Sequence, residues 1–323
     1  MPRALLFMAW GHQVVGVFIA ISGFCLALPL ARRGDWSLDS AIFYRRRLRR
    51  ILPPYFASIA IALLIVLAFT LNGHPQDYIG NPLSWTMVLS HVLMVENWVR
   101  SDTFSLNGPL WSVAVECQIY VLFPLLAALW RWGGRWPTLS FAFLVGNAVF
   151  FATHHGGMAH FLFLFTEGML GAELAFTARH KPWLGIAFLV SAVGFLFALR
   201  APWVISDIFV GLSTSLLMAY LTQHPQHWGN RVFGWKPLAW IGTFSYSIYL
   251  VHSFFQVLTY RFVFAAGVSP FNRSHSALAM LLVFVVSPVA IAVSYGFHVI
   301  FERPFMSHPR QVAEKRFAAE VAS

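Results

Sequence analysis

The sequence predicts an all-α fold: a polytopic membrane helix bundle with about nine transmembrane helices. Three observations predict it. The 323-residue chain is 58% hydrophobic and only 11% charged, whereas a soluble globular domain is nearer half apolar and about a quarter charged. Apolar stretches recur that approach the ~20 residues a helix needs to cross the hydrocarbon. No period-2 alternation recurs, which argues against a β-barrel.

In chain order the spans read at 14–30, 54–71, 109–130, 138–153, 161–177, 183–199, 203–221, 237–258 and 277–300. The 72–108 segment has room for a short half-buried helix but not for a span. Residues 1–306 form one transmembrane domain, and 307–323 a cytoplasmic C-terminal tail. There is no cleavable signal peptide, low-complexity tract or internal repeat. Cys25 and Cys117 both fall inside spans and imply neither a disulfide framework nor a metal site. The scattered histidines show no zinc-type spacing, so no metal is expected. The formal charge of +10 reflects membrane topology rather than nucleic-acid binding.

The charge distribution sets the orientation. With the 31–53 loop cytoplasmic and nine alternating helices, 17 of the 22 Lys and Arg fall on cytoplasmic segments. Only Arg3, Arg100, Arg200, Arg261 and Arg273 fall outside. This positive-inside bias puts the C-terminus in the cytoplasm and the N-terminus outside, in a cell inner (plasma) membrane.

Chemistry concentrates in a few stretches. "FYRRRLRRILPPYF", 43–56, holds five arginines in six positions. Lysine would anchor topology as well as arginine, but only the guanidinium fork grips phosphate oxygens in pairs. Anchoring and phosphate binding both fit the run. On a helix Arg46, Arg49 and Arg50 share a face, and Pro53 and Pro54 are expected to break that helix where the next span begins.

In "NGPLWSVAVECQIYVLFPLL", 107–126, Ser112, Glu116 and Tyr120 form one polar stripe in an apolar helix. A carboxyl in a span costs several kcal/mol unless paired or facing a cavity, so Glu116 is a functional candidate, or else a buried structural hydrogen-bond partner. "WIGTFSYSIYLVHSFF", 240–255, puts Ser245, Tyr249 and His252 on one face, which Gln256 extends. His252 suits a general base near neutral pH or a single satisfied hydrogen bond.

Elsewhere, Gly16, Ser22 and Gly23 suit close helix packing. His12 sits at the outer mouth of its helix, either catalytic or simply solvated. Glu167 and Glu173 are six apart and cannot form one acid pair; Glu167 is the better candidate. "HVLMVE", 91–96, is set aside, because His91 and Glu96 point apart on a helix. In "FERPF", 301–305, Glu302 and Arg303 lie where pairing with the basic loop is expected.

Five blocks in order, "GVFIAISGF", "FYRRRLRRILPPYF", "LWSVAVECQIYVLFPLL", "FSYSIYLVHSFF" and "FERPF", resemble the acyltransferase-3 family of integral membrane O-acyltransferases. The resemblance implies transfer of an acyl group, most often acetyl, from cytoplasmic acyl-CoA to a hydroxyl. The acceptor would be a carbohydrate or lipid-linked sugar at the membrane. It implies that Arg46, Arg47 and Arg50, with Arg49 beside them, contact the coenzyme A phosphates. Trp111, Ser112 and Glu116 match the family's tryptophan-serine-glutamate block, and Ser245, Tyr246, Tyr249 and His252 its tyrosine-histidine block.

The family's usual first helix, with an arginine and a histidine thought to be the catalytic base, would precede "GHQVVGVFIAISGF". Arg3 and His12 sit at that block instead, so no position inherits the role. One helix upstream of Met1 would make ten and return the N-terminus to the cytoplasm. The expected catalytic set is His252 as stand-in base, Glu116 as its partner, Tyr249 as an oxyanion donor, and His12. Two alternatives remain: a proton-coupled transporter or flippase of an anionic or lipid-linked substrate, and a catalytically inactive family member.

Overall fold

The computed structural model describes residues 11–72, 83–153, 159–177, 183–199, 203–265 and 275–306. Arg3 and the 307–323 tail lie outside these. Among the described residues there are helices and no strands, so the all-α fold is as expected. Helix covers most of each of the nine spans, and five described helices are long and apolar enough to cross a membrane.

The first helix, α1 (Gly11–Arg33), packs most intimately on α6 (Phe161–Thr177). Glycine makes that possible. A Cβ on Gly23 would lie 2.0 Å from the Phe165 carbonyl oxygen, and one on Gly168 2.1 Å from that of Ala20. In lipid, where apolar side chains gain little by leaving the solvent, such backbone approach holds helices together. Against this pair stand α4 (Leu110–Gly133), α5 (Arg135–Ala152) and α8 (Trp203–Gln223). By contrast, α7 (Trp183–Ala198) buries only Leu184, Ser191 and Ala198 and turns Ile186, Leu189, Val193 and Phe197 outward. That is the pattern of a helix at the lipid boundary.

Two boundaries differ from expectation. Pro53 and Pro54 do not break the helix: α2 runs unbroken over Ser40–Leu71. Each proline removes one bond to the carbonyl four residues back, here those of Arg49 and Arg50. Both residues are exposed, so water can take the freed carbonyls and the helix survives. Asp39 starts α2, its side chain accepting from the Ile42 amide at 2.9 Å.

The second difference is at 237–258. A short helix, α10 (Lys236–Thr243), has no buried residue. Phe244 leaves helical geometry and plugs the core, fully buried. The span proper is α11 (Ser245–Ala265). Between α2 and α4, α3 (Trp85–Val92) is the short half-buried helix expected there, with Met87, Ser90 and His91 buried. The small helix α9 is Trp228–Phe233. The last rod begins as α12 (His275–Leu281) and continues as α13 (Ser287–Phe297). It ends in a π turn, His298–Glu302.

That π turn rotates Glu302 inward. It accepts from Ser247 Oγ at 2.5 Å and from His298 Nδ1 at 2.8 Å and is 1% exposed. The pairing of Glu302 with the basic loop is therefore not what forms. Glu302 ties the last rod to α11 instead.

The basic residues gather at one end of the bundle. Arg131 faces Asp35 at 3.8 Å and Arg135 faces Glu173 at 3.7 Å. Hydrogen bonds from the Ser37 hydroxyl and amide hold the Asp35 carboxyl below its usual range, and the neighbouring Arg131 and Arg33 act in the same direction. Arg33 and the arginine run of α2 lie at this same end.

Candidate active site

Two cavities mark the two ends of α1. At the arginine end, a cavity of about 540 Å³ is walled by Arg33, Arg46, Arg47 and Arg50, with Asp39 and Phe305 at its margin. Asp39, which caps α2, puts one carboxylate in this lining against four guanidinium groups, so the pocket keeps a net positive charge. Arg49 is not among the lining residues: α2 directs 46, 47 and 50 into the cavity and 49 away from it. The Arg47 guanidinium lies 5.6 Å over the Tyr120 ring, within cation–π range.

At the other end, a cavity of about 790 Å³ is lined by His12, Phe18, Trp111, Tyr249, His252 and Gln256 among others. The polar face of Ser245, Tyr249, His252 and Gln256 thus turns into a single space, with His12 across from it. His252 Nδ1 meets the carbonyls of Tyr249 at 2.7 Å and Ile248 at 3.2 Å. A carbonyl can only accept, so Nδ1 carries the hydrogen. In the neutral ring the lone pair is then on Nε2. The Tyr249 hydroxyl is 2.5 Å from Ser112 Oγ, and Ser112 in turn gives its own hydrogen to the Pro109 carbonyl at 3.0 Å. Tyr249 is therefore the donor of that pair.

Glu116 lines neither cavity and lies between them. Its Oε1 accepts from Ser22 Oγ at 2.7 Å and from the Tyr120 hydroxyl. Ser22 serves here as a hydrogen-bond donor, while Gly23 beside it provides the close packing. The three members of the α4 stripe divide accordingly: Glu116 and Tyr120 join α1, and Ser112 joins Tyr249 of α11. From Phe18 in one cavity to Leu26 in the other is eight residues of α1, about 12 Å of helix rise.

Above the histidine cavity lies a loop that the sequence left unexplained. Asn107 donates to Ser58 Oγ and to the Leu250 carbonyl, both at 2.8 Å, and accepts from Ser253. It fastens the approach to α4 onto α2 and α11. His91 and Glu96 do not meet side chain to side chain. Instead the Tyr55 hydroxyl reaches both the His91 carbonyl, at 2.8 Å, and Glu96 Oε1, at 3.1 Å.

Two further residues, His160 and Asp207, escaped the sequence reading. Asp207 Oδ2 receives His12 Nε2 at 2.7 Å and His160 Nε2 at 2.9 Å. Asp207 is a single acid in an apolar span, a signal of the same kind that singled out Glu116.

These features define a class: a multi-pass membrane protein with an arginine-lined pocket at one end of the bundle and a histidine-lined cavity at the other. The acyltransferase-3 family, an acyltransferase domain, matches residues 2–299. The chain belongs to that family. Among its relatives, peptidoglycan O-acetyltransferase OatA of Listeria monocytogenes is 25% identical over 280 residues, covering 75% of this chain and 44% of that protein. The putative peptidoglycan O-acetyltransferase YrhL of Bacillus subtilis is 24% identical, with the same coverage of each chain. Acyltransferase MdmB of Streptomyces mycarofaciens is 26% identical, covering 92% of this chain and 81% of that one. The chain spans less than half the length of the first two. No solved structure matches.

Proposed function

We propose that this chain is a membrane O-acyltransferase that moves an acyl group, the acetyl group by our reading, from acyl-CoA to a hydroxyl of a carbohydrate or lipid-linked acceptor. The observation that carries this reading is the pair of cavities: arginines for a diphosphate at one end, a histidine with a fixed tautomer at the other. The names of the Listeria and Bacillus relatives favour acetyl and a glycan. The arginine end faces the cytoplasm of the plasma membrane, by the positive-inside bias, and the acceptor enters from the opposite side.

In this mechanism Arg46, Arg47 and Arg50 hold the coenzyme A phosphates, and the pantetheine arm runs along α1 past Glu116. The Arg47–Tyr120–Glu116–Ser22 chain of contacts lies between the two cavities, and the arm must part it to reach His252. His252 Nε2 takes the proton from the acceptor hydroxyl as its oxygen attacks the thioester carbonyl. The C–O bond forms, the C–S bond breaks, and the thiolate leaves with the proton from His252. The Tyr249 hydrogen, given to Ser112 at rest, turns to the developing oxyanion.

The test is to incubate sealed vesicles of both orientations with labelled acetyl-CoA, which does not cross the bilayer. Inside-out vesicles should incorporate label as alkali-labile ester; right-side-out vesicles should not, and His252→Ala should abolish incorporation. Release of unreacted label across the membrane would indicate a transporter. No incorporation in either orientation, with glycan acceptor present, would indicate an inactive member.

A further inference from the structure

At the end of the bundle farthest from the arginines, three side chains from three helices converge. His12 is in the first turn of α1, His160 immediately precedes α6, and Asp207 is on α8. We propose that His12, His160 and Asp207 bind a divalent transition metal, zinc by its ligand chemistry.

The first observation is the geometry. The three donor atoms lie within 4.8 Å of one another, and both imidazole Nε2 atoms converge on one carboxylate oxygen. In a tetrahedral site, zinc–ligand bonds of ~2.1 Å set neighbouring ligand atoms about 3.4 Å apart, so binding draws the widest-spaced pair together by at most about 1.4 Å and lengthens the two Nε2–Oδ2 contacts by about 0.5–0.7 Å. Phe161, fully buried, lies against both rings, stacked on His12 at 5.2 Å between centroids and tilted to His160 at 4.6 Å. Water is thereby kept from one side of the cluster.

The second observation is a pair of buried acid oxygens without hydrogen-bond partners. Asp207 is 0% exposed, and its other oxygen, Oδ1, is buried without a hydrogen-bond partner. One turn further along α8, Gly211 leaves room for Glu167 of α6: a Cβ there would stand 1.9 Å from Glu167 Oε2. That oxygen too is buried and unpartnered, on a residue 3% exposed. Two carboxylates thus face the same seam between α6 and α8. Among the described residues, neither has a lysine or arginine within ion-pair distance. Neutral imidazoles donate hydrogen bonds but cancel no charge, and a carboxylate in a span needs a counter-charge or a proton. A dication held at Asp207 supplies that counter-charge.

The ligand types choose the ion. Two imidazoles with one carboxylate suit zinc and its neighbours, whereas magnesium and calcium prefer all-oxygen sets. Three protein ligands leave a fourth position, and His12 also lines the large cavity, so that position adjoins the acceptor space. His12 would then be a ligand rather than a base, leaving His252 as the basic ring at the cavity. The metal centre stands independently of the acyl-transfer reading, since its occupancy is measured without substrate.

The experiment uses the full chain, purified in detergent through a tag that contains no histidine. Mass spectrometry of the metal content should find about one zinc per chain. After chelation, added cobalt(II) should give the visible bands of a tetrahedral nitrogen–oxygen site. Asp207→Asn and His160→Gln should each lower metal content at least tenfold, while His252→Ala leaves it unchanged. Wild-type protein that elutes as a single species, holds no zinc and gives no cobalt bands would overturn the proposal. It would leave a hydrogen-bonded His–Asp–His cluster. Full zinc content in Asp207→Asn would overturn it equally.

Discussion

Replacing Arg50 by alanine tests the donor pocket. Arg50 lines the 540 Å³ cavity together with Arg33, Arg46 and Arg47, and Asp39, the acid at its margin, is engaged in capping α2. A phosphate in this space therefore meets four guanidinium groups against one carboxylate, a net positive charge. A hydrogen bond to a charged group contributes about 1.5–3 kcal/mol, and a tenfold change in affinity corresponds to about 1.4 kcal/mol. Arg50→Ala should thus raise the KM for acetyl-CoA by roughly 10- to 150-fold, with a smaller effect on kcat at saturation. Arg50→Lys should recover only part of this, because ammonium keeps the charge but loses the two-pronged grip. Arg49, directed away from the cavity, provides the internal control. Its replacement removes an exposed charge worth at most about 1 kcal/mol, under roughly sixfold in KM. The assay is the initial rate of label transfer against acetyl-CoA concentration, in membranes matched for inserted protein. An unchanged KM in Arg50→Ala, or an Arg49→Ala defect as large, would refute the reasoning.

Two further outcomes concern stability. Burial pushes the Glu96 carboxyl up to about 7, so the folded state holds a proton there that the unfolded state releases near its ordinary value of 4.5. The protonated acid can donate to Tyr55, which then donates to the His91 carbonyl. Because the folded state binds more protons between those values, stability falls as pH rises from about 4.5 to 7, by on the order of 3 kcal/mol for this group. Thermal unfolding in detergent at pH 5 and pH 8 should show this slope, and Glu96→Gln should flatten it; an identical slope in the variant would contradict the assignment. Gly168→Val should disrupt the α1–α6 seam, since even a Cβ would lie 2.1 Å from the Ala20 carbonyl oxygen. The expected loss is about 3 kcal/mol or more, seen as a lower unfolding midpoint or failure to purify as a single species. A midpoint within a degree of wild type would show that the seam yields.

How much of this was legible in the sequence depended on whether the signal was local. The nine apolar segments could be read because hydrocarbon demands length and apolarity, both properties of contiguous sequence. The shared face of Tyr249 and His252 followed from helical spacing alone. The double proline misled because its effect depends on where the orphaned carbonyls lie, and those of Arg49 and Arg50 belong to exposed residues that water can reach. Glu302 misled because a π turn shifts the register of a face. His160 and Asp207 belong to different helices and meet His12 only after three-dimensional packing, so no spacing rule could assemble them. Ser22 read only as a small packing residue, and that its hydroxyl donates follows only from where Glu116 lies.

The central claim is that one ligand spans the bundle from the arginines toward His252. A cryo-electron microscopy structure with a non-hydrolysable acetyl-CoA analogue tests it directly. The account predicts the diphosphate against Arg46, Arg47 and Arg50, with the acyl end beyond Glu116 and within reach of Tyr249 and His252. An analogue bound elsewhere, or one whose acyl end stops at the arginine pocket, would contradict it.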